Sequence, residues 1–148
     1  MKAGRPAGPL GNLENRPDSG KGSAMMRAMD RTFIFIGALL GFVGVALGAF
    51  GAHFLKARLS TDMLAVFETG VRYHLIHAVA LLATAALADR VGERLLAAAG
   101  WLFTSGIVLF SGSLYVLALT GITTFGAVTP LGGVAFLAGW ACLLIAAI

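Results

Sequence analysis

The three histidines of this chain, His53, His74 and His77, and its two tyrosines, Tyr73 and Tyr115, all lie in or beside strongly apolar sequence. Imidazole is the commonest protein ligand for metals, and histidines three residues apart on a helix sit about 60° from one another and can share an ion. His53, His74 and His77 are therefore candidate ligands for a metal or a haem. Glu68 and Arg72 are four residues apart, as are Tyr73 and His77, so each pair shares a helix face. Such a series of ionisable groups would also suit a proton or small-solute path. Against a path of the small multidrug-exporter kind, the first apolar segment has no acidic residue. The same groups could form a docking surface for a partner protein or a lipid headgroup. The plainest reading is structural: a neutral His77 imidazole, bonded to Tyr115, Ser113 or a backbone carbonyl, offsets the cost of its own burial. No nucleophile, base and oxyanion donor fall into a recognisable arrangement, and no glycine-rich phosphate loop follows a strand. The sequence names no catalytic residue and gives no reason to expect an enzyme.

The elements that must carry these residues are set by the solvent around them. Between Leu95 and Ile148 there is no Asp, Glu, Lys or Arg. A hydrocarbon core of about 30 Å takes about 20 apolar helical residues to cross. The run accommodates two crossings, with Thr120-Gly121-Ile122-Thr123-Thr124 as the turn between them. The chain is 58% hydrophobic and 12% charged, about half the charge of an average soluble domain. Its net charge of +4 is concentrated ahead of the first apolar segment, in Lys2, Arg5, Arg16, Lys21, Arg27 and Arg31. Without that tail there is no basic stripe, so nucleic acid is not an expected partner. Cys142 is the only cysteine, which excludes an intrachain disulfide; in apolar sequence it reads as a packed thiol.

Residues 1–31 hold Pro6, Pro9 and Pro17 among Gly, Ser, Asn and charges, and are expected to be a disordered basic tail. Met25, Met26 and Met29 stand close to the first span, so the stretch upstream of them reads as an extension of the natural start. Residues 32–148 are expected to form one all-α domain, an integral membrane four-helix bundle with spans near 32–52, 71–88, 95–119 and 130–148. The first apolar run is longer than a secretory signal core, so it is taken as a span. Ser60 or Thr61 is expected to cap the second helix, Gly121 to end the third, and Thr129 to cap the fourth ahead of Pro130. Strand alternation is missing, so every lipid-embedded segment must satisfy its backbone as a helix. Lys21, Arg27, Arg31, Arg90 and Arg94 on one side, against Lys56, Arg58 and Arg72 on the other, favour both termini in the cytoplasm.

Alternating spans gather the polar residues at one end. His53 and Lys56 leave the first helix there; Glu68, Arg72, Tyr73, His74 and His77 enter the second; Ser111, Ser113 and Tyr115 lie in the near half of the third. This non-cytoplasmic polar cluster is the expected interaction site. Packing should be led by small residues. Gly37, Gly41, Gly44, Gly48 and Gly51 recur at spacings of four and three, as do Gly132, Ala135, Gly139, Cys142 and Ala146, with a looser series at Ala97, Gly100, Thr104, Ser111 and Ala118. Such stripes let helix backbones approach closely in lipid, either within one chain or across a homo-oligomer.

Four blocks carry a resemblance. Leu47-Gly48-Ala49-Phe50-Gly51-Ala52-His53 is similar to the first signature of the YgdD-like family. Phe67-x-Thr69-Gly70-Val71-x-Tyr73-His74-x-x-His77-Ala78, then Phe110-Ser111-Gly112-Ser113-Leu114-Tyr115, then the run from Thr129 to Trp140 resemble its second, third and fourth. The resemblance covers about Phe33 to Ile148 with the blocks in order, leaving 1–28 outside. It implies a bacterial inner-membrane protein with four spans and brings no reaction, substrate or cofactor. Relatives often have Gln at the position of His74, which weakens any strict metal requirement there. The leading expectation is thus a structural or accessory membrane protein without a cofactor; the runner-up is a metal- or haem-binding redox component using the three histidines.

Overall fold

A computed structural model describes residues 19–88 and 93–148. The first helix, α1, spans Ser19–His53. It starts well ahead of residue 32, so residues 19–31 are helical where an irregular tail was expected. The reason is local: beyond Pro17 the sequence Ala24-Met25-Met26-Arg27-Ala28-Met29 is rich in strong helix formers. The remainder of that tail, residues 1–18, and Asp89–Gly92 in the charged turn lie outside the described residues. After a 3₁₀ turn at Leu55–Ala57, α2 runs Thr61–Ala86. Ser60 caps it by accepting a hydrogen bond from the Met63 amide at 3.3 Å.

The third span is a single rod with a flaw in it. Helix α3, Glu93–Gly106, passes through a π-helical turn at Ile107–Ser111 into α4, Gly112–Thr120. Gly121 ends it in the left-handed conformation, φ 73°, as expected of a glycine at that place. A 3₁₀ turn at Thr123–Ala127 leads to α5, Thr129–Ala146. Thr129 is not the cap of α5: Val128 stands there, and the threonine hydroxyl is engaged by Ser113 instead.

Helix order follows from which side chain fills which glycine. A Cβ on Gly37 would fall 2.9 Å from Leu82, on Gly44 2.7 Å from Leu75, and on Gly51 3.1 Å from Phe67. Advancing along α1 means retreating along α2, so the two are antiparallel. Gly41 is the exception, with nothing within 4 Å of its Cβ position. At 100° per residue it sits about 60° from Gly44, on the edge of the stripe rather than its crest. The same reversal joins α5 to the third rod: Gly106 receives Phe136, Gly132 abuts the Phe110 backbone, and Gly139 would place a Cβ 2.6 Å from Phe103. Gly100 receives Phe33 of α1 and Gly70 receives Tyr115. The glycine stripes thus serve contacts within the chain.

The result is a four-helix bundle in which α2 packs along both α1 and the third rod, and α5 packs on that rod while meeting α2 through side chains. Phe67, Leu81 and Phe103 are fully buried between them. The outer surface is apolar, with Phe42 75% and Leu137 71% exposed, the reverse of a soluble protein and the arrangement a bilayer requires. Among the described residues, three segments can cross a membrane by length and composition: Arg31–Ala57, Arg94–Thr120 and Thr123–Ala146. Helix α2, with 26 residues, is about 39 Å long, enough to cross by length alone. Its charges, Asp62, Glu68 and Arg72, are confined to its first half.

Candidate functional site

His77 lies at the centre of the polar cluster and is buried. Its Nδ1 is 2.8 Å from the carbonyl of Tyr73, one turn back on α2. A carbonyl can only accept, so Nδ1 carries the proton. On the other side, the Trp140 indole N–H of α5 donates to Nε2 at 3.2 Å. An indole can only donate, so Nε2 is unprotonated. His77 is therefore the neutral Nδ1–H tautomer, with both nitrogens occupied. Phe136 stacks on its ring at 3.5 Å between centroids and 9° between planes. Phe103 and Tyr73 flank it at 5.6 and 6.1 Å. This is the satisfied imidazole that burial demands, though its second partner is Trp140 and not Tyr115 or Ser113.

Tyr115 belongs to His74 instead. Its hydroxyl is 3.1 Å from His74 Nδ1, tying α4 to α2. Among the described residues His74 Nε2 has no hydrogen-bond partner although it is buried, and the same holds for the hydroxyl of Ser111 in the π-helical turn. Ser113 donates to the Phe110 carbonyl at 2.9 Å. Its one proton being so engaged, Ser113 accepts from Thr129 at 2.8 Å and ties α4 to α5.

The expected cluster therefore divides in two. His74, His77, Ser111 and Ser113 are buried, and Tyr115 partly so, and they cross-link the helices. His53, Lys56, Glu68 and Arg72 are exposed at the rim. Glu68 and Arg72 do not pair, although their spacing permits it; among the described residues neither has an ionic partner. The three histidines do not converge. His74 turns to α4, His77 to α5, and His53 ends α1. Among the described residues no three His, Cys, Asp or Glu side chains gather as a metal site would need. A metal on His77 would first have to displace the Trp140 bond, because that lone pair is already used.

Sequence pattern alone does not single out Trp140 or Phe136. One signal was available: an indole N–H in an uncharged helix is a donor that must find an acceptor, and few acceptors lie at that depth. Together with Tyr73, His77 and Pro130, these residues line a groove of about 460 Å³ between α2 and α5. A second groove of about 510 Å³ is lined by Ile76, Val79, Ala83 and, like the first, by Trp140. Both exist because α2 and α5 meet through side chains and not through closely packed backbones.

Residues 47–133 match the family model described as "Protein of unknown function (DUF423)". The chain is 49% identical over 119 residues to the UPF0382 membrane protein YwdK of Bacillus subtilis, covering 80% of this chain and 97% of that protein. It is 44% identical over 115 residues to the UPF0382 membrane protein SH2409 of Staphylococcus haemolyticus, covering 78% and 93%. It is 42% identical over 125 residues to the UPF0382 inner membrane protein YgdD of Escherichia coli K12, covering 80% and 90%. No solved structure matches.

Proposed function

The chain belongs to the DUF423 family of membrane proteins, and from that premise we propose that it is an accessory protein of the bacterial inner membrane. Its interaction site is the exposed polar rim of His53, Lys56, Glu68 and Arg72, which faces away from the cytoplasm, with both termini on the cytoplasmic side. One observation supports this above the others. The polar groups inside the bundle are largely spent on one another, in the His77–Trp140, His74–Tyr115 and Ser113–Thr129 bonds. They hold helices together. His53, Lys56, Glu68 and Arg72 have no such duty and are exposed at the rim, where a partner can reach them. The E. coli relative's name, UPF0382 inner membrane protein YgdD, supports the location.

The test is photo-crosslinking in native membranes from a probe amino acid placed at Lys56 or Glu68, read by mass spectrometry. A discrete adduct from the rim, missing when the probe is moved to lipid-facing Phe42, is the expected result. The same background adducts from all three positions would refute the rim as the site.

A further inference from the structure

We propose that Arg72 and Tyr73 hold the phosphate of an anionic phospholipid whose acyl chains lie in the two grooves that Trp140 lines. This rests on reading the rim as the interaction site and names its occupant.

The argument begins with Arg72. It sits 11 residues into α2, about 16 Å along the helix axis. If the final 20 or so residues of α2 cross the hydrocarbon, Arg72 starts below the boundary. A guanidinium there is costly without an anion, and among the described residues it has no ionic partner. Helical side chains lean toward the N-terminus, which for α2 is the rim. The Arg72 stem can therefore lie along the helix while its head reaches the phosphate layer. Tyr73, its neighbour in sequence, is 40% exposed, and its hydroxyl has no partner among the described residues. A phosphodiester needs donors of this kind, and a planar guanidinium can meet two of its oxygens.

Below this pair the surface is shaped for chains. Arg72, Ile76, Val79 and Ala83 recur at helical spacing and are all exposed, so the arginine heads the stripe that lines the second groove. Tyr73 heads the first groove in the same way. Trp140 lines both grooves. Each groove is within the range of about 300–1,000 Å³ typical of specific ligand sites. Both open sideways into the bilayer, where acyl chains are the occupant at hand; Arg72, without an ionic partner among the described residues, favours a negative headgroup against the opposing effect of the exposed Glu68 carboxylate one turn nearer the rim.

The experiment uses the purified full-length chain in vesicles. Trp101→Phe leaves Trp140 as the only indole. Lipids brominated at mid-chain quench it on contact, and phosphatidylglycerol is compared with phosphatidylcholine of the same chains. The expected result is a relative affinity of about fivefold for the anionic lipid. Arg72→Gln should bring it near parity with quenching by both lipids retained, and Arg72→Lys should keep part of the preference. Melting of each variant confirms the fold. Equal affinity for both lipids in the parent overturns the inference and leaves the rim to its crosslinking test. A preference that survives Arg72→Gln but is lost in Lys56→Gln also overturns it, while keeping the rim reading.

Discussion

Replacing Gly132 by alanine adds one methyl group where α5 meets the π-helical turn. The new Cβ would collide with the backbone N and Cα of Phe110. A side chain can rotate out of such a collision; backbone held in a helix cannot, so the two helices must part. Overpacking in a dense core costs about 1–3 kcal/mol, and the rigid obstacle places this case near the upper end. Alanine recovers about 0.5–1 kcal/mol through its better helix propensity. The net loss is about 2 kcal/mol, or roughly 30-fold in the folding equilibrium. Two glycines serve as internal references. Gly133, next in sequence, would place a Cβ 3.9 Å from Phe110, an ordinary contact, and Gly41 has open space. Their alanine variants should match the parent or exceed it by about 0.5–1 kcal/mol. The assay is reversible unfolding in mixed detergent micelles followed by tryptophan emission, since Trp140 packs edge-on against Phe103 at 5.2 Å across the same interface. Helix content alone is a poor reporter, because membrane helices persist when tertiary packing is lost. If Gly132→Ala were as stable as Gly133→Ala, the close approach of α5 to the third rod would be wrong.

Other outcomes follow from the same geometry. Gly44→Leu should disrupt the α1–α2 hairpin and lower the detergent melting temperature, because even a Cβ there would stand 2.7 Å from Leu75; an unchanged melt counts against the interface. Trp140→Phe leaves His77 Nε2 without its donor and should cost about 1 kcal/mol, whereas His77→Ala in the same background should show strong non-additivity in a double-mutant cycle. Nitrogen NMR of labelled His77 should show one protonated and one bare ring nitrogen, with the proton on Nδ1; the opposite tautomer would contradict both of its hydrogen bonds. Cysteines placed singly at Lys56 and Thr124 in a Cys142→Ser background should react with an impermeant reagent from the same face of the membrane, and labelling from opposite faces would break the alternation of the spans.

Much of the architecture was legible because lipid simplifies the problem. An uncharged stretch from Leu95 to Ile148 has to be helical, and it has to turn near Gly121. Small residues at spacings of three and four have to face a neighbour, and most of them do. The sequence is ambiguous where a residue has two possible uses. Thr129 can cap a helix or bond across one, and the nearby Ser113 hydroxyl decided for the second. Tyr115 and Trp140 were both within reach of the second helix, and chain pattern alone cannot say which histidine each will meet. Gly41 belongs to the glycine series by spacing, yet a rotation of a few tens of degrees leaves it facing open space. The π-helical turn at Ile107–Ser111 has no signature in the residues that form it.

The amino-acid order alone determined the solvent, the number of helices, their alternation and the end of the bundle at which polar groups collect. Each of these depends on hydropathy summed over many residues, so no single contact can overturn it. The tertiary structure decided which polar groups are consumed and which remain free. That outcome turns on ring orientations and hydrogen-bond distances of about 3 Å between residues such as His77 and Trp140, 63 positions apart, and pairings at such range are settled only when the helices pack.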